Sequence, residues 1–156
     1  MTTINDVTEL TREGDVAVIT LDSPPVNALS ANVRDGLWEA FKQANESDAS
    51  AIVLICAGRT FIAGADIREF GKPREGGNPT ASIEAASKLL IAATHGTVLG
   101  GGLELAMACH FRDALASTRF GLPEVLLGIL PGGGGTQRLP RIVGVEKALQ
   151  MITSGD

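Results

Sequence analysis

The sequence predicts an α/β fold with mostly parallel strands. Two short apolar runs, Ala51-Ile52-Val53-Leu54-Ile55-Cys56-Ala57 and Leu90-Ile91-Ala92-Ala93-Thr94, have the pattern of strands buried on both faces. Segments of helical periodicity lie between such runs, and that alternation favours crossovers over hairpins. The composition agrees: 44% of the 156 residues are hydrophobic and 20% charged, with 19 Gly, which predicts a soluble globular chain.

The elements follow in order. Val7-Thr8-Glu9-Leu10-Thr11 alternates polar and apolar, Arg12-Glu13-Gly14-Asp15 supplies a turn, and Val16-Ala17-Val18-Ile19-Thr20-Leu21 returns, which predicts a hairpin. Pro24-Pro25 ends it. Ser30 is an N-cap for a helix over residues 30–47, with Val33, Leu37, Ala40 and Phe41 at helical spacing. After the first apolar strand, residues 71–79 read as an exposed glycine-rich loop and 82–90 as a helix. The second buried strand follows at 90–94. A helix entered through glycines is expected over 100–109, a strand over 111–116, and helices from about Thr136 and Val145. One domain is expected, without internal repeat, low-complexity tract or linker.

Charge and composition exclude several classes. A net charge of −5 argues against a nucleic-acid partner, which needs clustered Lys and Arg. No apolar stretch is long enough to span a bilayer, and the N-terminus lacks the features of a secretion signal. Cys56 and Cys109, each in an apolar run, read as buried free thiols of a reducing compartment, and a cytoplasmic location is expected. No P-loop or dinucleotide fingerprint fits, because Lys and the final small residue are missing from the glycine runs. His95 and His110 stand alone, so no metal site is expected, and His95 reads as a structural residue.

Two glutamates stand out. Glu104 follows Gly100-Gly101-Gly102 near a helix start, and Glu124 sits among apolar residues in Phe120-Gly121-Leu122-Pro123-Glu124-Val125-Leu126-Leu127-Gly128. A carboxylate among such neighbours is costly to bury without a partner or a task. One reading makes both ordinary solvated residues; the other makes them a catalytic pair. The three glycines favour the second, because they bring bare N–H groups and the positive end of a helix dipole toward a ligand. Such donors suit a developing oxyanion, although a glycine run also serves close helix-on-sheet packing. The run Gly132 to Gly135 reads as a tight turn into a helix rather than a phosphate cradle.

These segments, in their order, resemble the crotonase (enoyl-CoA hydratase/isomerase) superfamily. The matching residues are Pro25-Val26-Asn27-Ala28-Leu29, Phe61-Ile62-Ala63-Gly64-Ala65-Asp66-Ile67, Ala92-Ala93-Thr94-His95-Gly96, Gly100-Gly101-Gly102-Leu103-Glu104-Leu105-Ala106, Phe120-Gly121-Leu122-Pro123-Glu124 and Leu130-Pro131-Gly132-Gly133-Gly134-Gly135-Thr136-Gln137-Arg138-Leu139. The resemblance implies a spiral of ββα units that binds coenzyme A. It implies catalytic roles for Glu104 and Glu124, acting together on one water, with Glu124 as proton donor. It places the oxyanion hole at the N–H groups of Ala63 and Gly101, and the CoA contacts at Val26, Ala28, Ala63, Gly64, Ala65, Asp66 and Ile67. For Asp66 a helix-starting role is an equal alternative.

No cofactor is implied, since coenzyme A is part of the substrate. The implied activity is hydration of a 2-enoyl-CoA in fatty-acid β-oxidation. The alternatives are a Δ3,Δ2-enoyl-CoA isomerase and a non-catalytic CoA-binding fragment. Leu139-Pro140-Arg141-Ile142-Val143-Gly144 is similar to the N-terminal part of bacterial multifunctional β-oxidation proteins. A monofunctional relative would form a homo-oligomer, a trimer or hexamer. Leu89 and Thr94 depart from the family pattern, and the segment between Gly71 and Lys88 is short. The family's catalytic unit also continues beyond Asp156, so the resemblance implies an acyl-CoA-binding domain truncated at its C-terminus.

Overall fold

The computed structural model describes residues 2–73 and 76–155. A six-stranded sheet runs in the order β1-β2-β3-β4-β5-β7, built from β1 (Thr2–Thr3), β2 (Thr8–Glu13), β3 (Val16–Leu21), β4 (Ala51–Cys56), β5 (Leu89–Thr94) and β7 (Phe111–Ala114). The first three strands pair antiparallel, and β3-β4, β4-β5 and β5-β7 pair parallel. A second, parallel pair joins β6 (Thr97–Leu99) to β8 (Arg119–Gly121). The helices are α1 (Ala31–Glu46), α2 (Pro79–Glu84), α3 (Gly101–Ala108), α4 (Gly135–Val143) and α5 (Val145–Ser154). The expected mostly parallel α/β architecture is present.

The hairpin closes more tightly than expected, because β2 extends to Glu13 and leaves Gly14, at φ 59°, and Asp15 as the turn. Helix α1 starts where its cap predicts: the Ser30 side chain accepts from the Val33 N–H at 3.3 Å. Its inner face buries Val33, Leu37, Ala40, Phe41 and Ala44 against β2, β3 and β4. Ile19, Leu21, Ile52, Leu54 and Leu90 meet them from the sheet, all fully buried. Deleting one of these side chains, as in Leu37→Ala, would cost about 2–5 kcal/mol.

Three expectations need correction. Strand β4 buries one face, with Ile52, Leu54 and Cys56 inside, whereas Ile55 on the other face is 36% exposed. The α1 crossover covers the first face, and an all-apolar run does not reveal that the second is only partly covered. The helix expected over 82–90 is α2, ending at Glu84. Its N-cap Asn78 accepts from the Ala81 N–H, and Pro79 occupies the first turn. Beyond it the Ser87 N–H donates to Asn45 Oδ1 at 2.9 Å and Leu89 pairs with Ala51, so the sheet takes the backbone. The last predicted strand stops at Ala114 rather than 116. The loop expected over 71–79 includes Arg74 and Glu75, which lie outside the described residues.

Cys56 and Cys109 are buried free thiols, and burial raises both, Cys109 to about 12. His95 shares a 2.9 Å hydrogen bond with the Gly58 carbonyl, and His110 Nδ1 accepts from the Leu90 N–H, so both are tied to backbone. Among the described residues no helix is long and apolar enough to cross a membrane, and no cluster of metal-ligating side chains occurs.

Candidate active site

Strand β6 leads through Gly100 into α3, and β8 leads through Leu122 into a 3-10 turn over Pro123–Leu127. Because β6 and β8 are paired, the two exits open side by side. Gly100 takes φ 51° and donates its N–H to the Gly121 carbonyl at 3.0 Å, tying one exit to the other. Gly102 packs so closely on Ile62 that a Cβ there would collide with the Ile62 carbonyl. Together they seat the start of α3, whose first turn carries Glu104, against the segment containing residues 62–65.

Both glutamates line one cavity of about 390 Å³, with Ala63 to Ile67, Gly100, Gly101, Gly132 and Gly133 among its other walls. Glu104 is 4% exposed, and its Oε1 accepts from the N–H groups of Gly133 and Gly135, each at 2.8 Å. Two N–H donors compensate the carboxylate that burial strips of water. Glu124 is 8% exposed, and its Oε2 is buried with no hydrogen-bond partner among the described residues. Burial raises its pKa above the usual carboxylate range, with a smaller push from Glu104. Gly100 leaves room for it: a Cβ there would lie 3.1 Å from Glu124 Oε1.

The two expected backbone donors, Ala63 and Gly101, stand in different situations. The Ala63 N–H donates to the Val26 carbonyl at 3.2 Å, so this group is already engaged and is a poor candidate for a ligand oxygen. Ala65 instead has an N–H without a partner among the described residues, and its nitrogen lies 3.8 Å from where a Cβ on Gly101 would project. Gly101 is the first residue of α3, where N–H groups have no partner inside the helix.

Val26 and Ala28 do not line the cavity; they stand behind it, linked through the Val26 carbonyl and through the Leu29 N–H to the Gly64 carbonyl at 2.9 Å. Asp66 lines the cavity and also starts the 3-10 turn at Ile67–Glu69, accepting from the Arg68 N–H at 3.0 Å. The Arg68 guanidinium beside it lowers its carboxyl to about 2. The helix-starting role is therefore real.

Asn27 was among the matched residues, but no role was expected for it. It is buried at φ 52°; its Oδ1 accepts from the Ser23 N–H at 2.7 Å, and its Nδ2 donates to the carbonyls of Ala57 and Thr60 at 3.0 and 2.8 Å. It pins the Val26 loop to the segment that leads into the cavity wall. Arg34 and Glu69 form a second unforeseen anchor: Glu69 accepts from the Ala31 N–H at 2.8 Å and from Arg34 at 2.9 Å. The Ala31 N–H and then Arg34 hold the Glu69 carboxyl below its ordinary range. A Pro-Val-Asn-Ala-Leu run signals such a pin only through an Asn in a left-handed turn position.

This mostly parallel α/β scaffold is that of a crotonase-type enzyme. The chain belongs to the enoyl-CoA hydratase/isomerase family, whose sequence profile matches residues 11–156. It is similar to the peroxisomal bifunctional enzyme of Danio rerio, 50% identical over 145 residues that cover 90% of this chain and 20% of that protein. It is also similar to a probable enoyl-CoA hydratase of Bacillus subtilis (strain 168), 48% identical over 155 residues, covering 90% of this chain and 59% of the relative. Among solved structures, DspI of Pseudomonas aeruginosa superposes with TM-score 0.90 at 32% identity, covering 97% of this chain and 67% of that one. An enoyl-CoA hydratase from Bacillus anthracis does so with TM-score 0.88 at 33% identity, covering 97% and 64%. The chain thus spans from a fifth to three fifths of these curated relatives' length.

Proposed function

We propose that this chain carries the site for adding water across the double bond of a 2-enoyl-CoA thioester, with Glu104 and Glu124 acting on one water. The observation that carries the reading is the buried, unpartnered Oε2 of Glu124 in a cavity shared with Glu104. An orphaned buried acceptor of this kind costs about 1–3 kcal/mol unless a ligand or water completes it. The kinship with proteins named enoyl-CoA hydratase supports the same reaction.

The chemistry follows from the two environments. Glu104, oriented by its two N–H donors, takes a proton from water as the hydroxyl joins the β-carbon. The electron pair of the double bond moves through the α-carbon onto the thioester oxygen, forming an enolate. Burial favours the protonated form of Glu124, which suits it to deliver a proton to the α-carbon. The N–H groups of Ala65 and Gly101 receive the thioester oxygen in this proposal, Ala65 taking the place of Ala63 in the pair expected from the sequence, because the Ala63 N–H is engaged by Val26. Losing one such donor typically costs about 10²–10³ in rate. Ala63 to Ile67 then form the wall along which the CoA moiety lies, with Lys72 as a cation in the same cavity. No cofactor takes part.

The test is the loss of conjugated enoyl-thioester absorbance when the chain meets crotonyl-CoA. Glu124→Gln is expected to lower the rate by about 10²–10⁴ while CoA still binds. With Glu124 as the donor, activity falls as pH rises through its raised pKa, because the required proton is then lost. A wild-type chain that binds CoA without consuming the thioester would replace this reading with a binding fragment. Double-bond migration surviving Glu104→Ala would replace it with an isomerase.

A further inference from the structure

Behind Glu104 lies an arginine that the proposed chemistry does not use. Arg138, on α4, donates from Nη1 to the Gly133 carbonyl at 2.8 Å and from Nη2 to the carboxylate of Glu84, the last residue of α2. Its guanidinium lies so close to the loop that a Cβ on Gly134 would collide with Nη1. Gly133 is therefore held from two sides, with its N–H on Glu104 and its carbonyl on Arg138.

We propose that Arg138 is the positioning residue for Glu104. The proposal rests on the catalytic reading of Glu104 given above. Four consecutive glycines, Gly132 to Gly135, make the most permissive backbone in the chain, and nothing intrinsic to them aims two N–H groups at one carboxylate oxygen. Arg138 removes that freedom by fixing the peptide plane that follows Gly133. The amides of Gly133 and Gly135 are then presented together to Glu104 Oε1. A planar fork can hold the Gly133 carbonyl and Glu84 at once, which a Lys ammonium does less well. The Glu84 anchor is secondary, since its side chain is 57% exposed and an exposed pair contributes little. It still joins the clamp to α2, whose Pro79 and Thr80 line the same cavity.

Two measurements on the whole chain test this. In residue-resolved amide hydrogen exchange, Arg138→Ala is expected to speed exchange of the Gly133 and Gly135 amides about tenfold or more, leaving the later turns of α3 unchanged. Arg138→Lys, which keeps one donor for the Gly133 carbonyl, should restore part of that protection. Unchanged exchange at Gly133 and Gly135 in Arg138→Ala would overturn the proposal. In crotonyl-CoA turnover, Arg138→Ala is expected to lower kcat about tenfold with KM little changed, as a slightly misplaced catalytic group would. In a Glu104→Gln background the same change should have no further effect, because residues acting as one unit are not additive. A further loss of equal size there would overturn the proposal, since Arg138 would then act through something other than Glu104. Full activity in Glu104→Gln itself would instead overturn the catalytic reading of Glu104, and the exchange result would decide on Arg138 alone.

Discussion

Glu104 and Glu124 line the same cavity, yet the fold treats them in opposite ways. Glu104 stands in the first turn of α3 and receives two backbone N–H groups from a loop about thirty residues away. Glu124 stands on a 3-10 turn among apolar side chains and keeps one buried oxygen without a partner among the described residues. The first carboxylate is built into the structure; the second is left for something else to complete. Two chemically identical side chains thus meet different surroundings, and the proposed mechanism uses that difference to take a proton with one and give a proton with the other.

The contrast is broken most directly by crowding Glu104. A Cβ on Gly133 would lie 2.5 Å from Glu104 Oε2, so Gly133→Ala must displace the carboxylate. We expect a loss of about 10²-fold in kcat for crotonyl-CoA, as for a reacting group moved by about 1 Å. A variant that turns over normally would mean that the cradle does not set Glu104's position. Asn27→Ala tests the support beneath the cavity wall; losing the buried hydrogen bonds of its side chain should cost about 2–4 kcal/mol, read from the urea midpoint. An unchanged midpoint would show that the loop is held elsewhere.

The two glutamates should also differ in the sign of their effect on stability. Glu104→Ala leaves the Gly133 and Gly135 N–H groups without their acceptor and is expected to destabilise the chain by about 1–3 kcal/mol. Glu124→Gln replaces a buried carboxyl whose ionisation burial opposes and should raise the thermal midpoint at neutral pH by about 2–4 °C. The sign follows from the raised pKa: the folded state holds the Glu124 proton more tightly than the unfolded state does. Stability therefore falls as pH rises from the unfolded carboxylate range through the folded pKa. The advantage of Glu124→Gln should vanish below about pH 4, where both states are protonated. Equal and opposite-free behaviour of the two variants across pH would erase the distinction drawn between them.

Much of this was legible without coordinates. Glu104 and Glu124 were marked by their apolar and glycine-rich surroundings, α1 by its cap and helical spacing, β3 by hairpin alternation, β4 by its apolar run and α3 by the glycines that enter it. The short β6 and β8 were not, because three residues show no alternation; their pairing is what brings the two glutamates side by side. The engagement of the Ala63 N–H was equally hidden. It depends on the Val26 carbonyl, which a segment nearly forty residues earlier brings against the Ala63 N–H, and on the turn at Gly64, whose φ is 113°.

The sequence by itself determined the alternating α/β architecture and the membership of the enoyl-CoA hydratase/isomerase family, and it singled out both glutamates. It could do so because burial patterns, helix caps and glycine runs are local properties of the chain. The tertiary structure decided what each glutamate meets. The glycine run at 132–135, read from sequence as a mere turn, supplies the donors for Glu104, while nothing comparable among the described residues reaches Glu124 Oε2. Those differences arise from backbone groups that every residue carries, which become specific only when folding brings distant segments together.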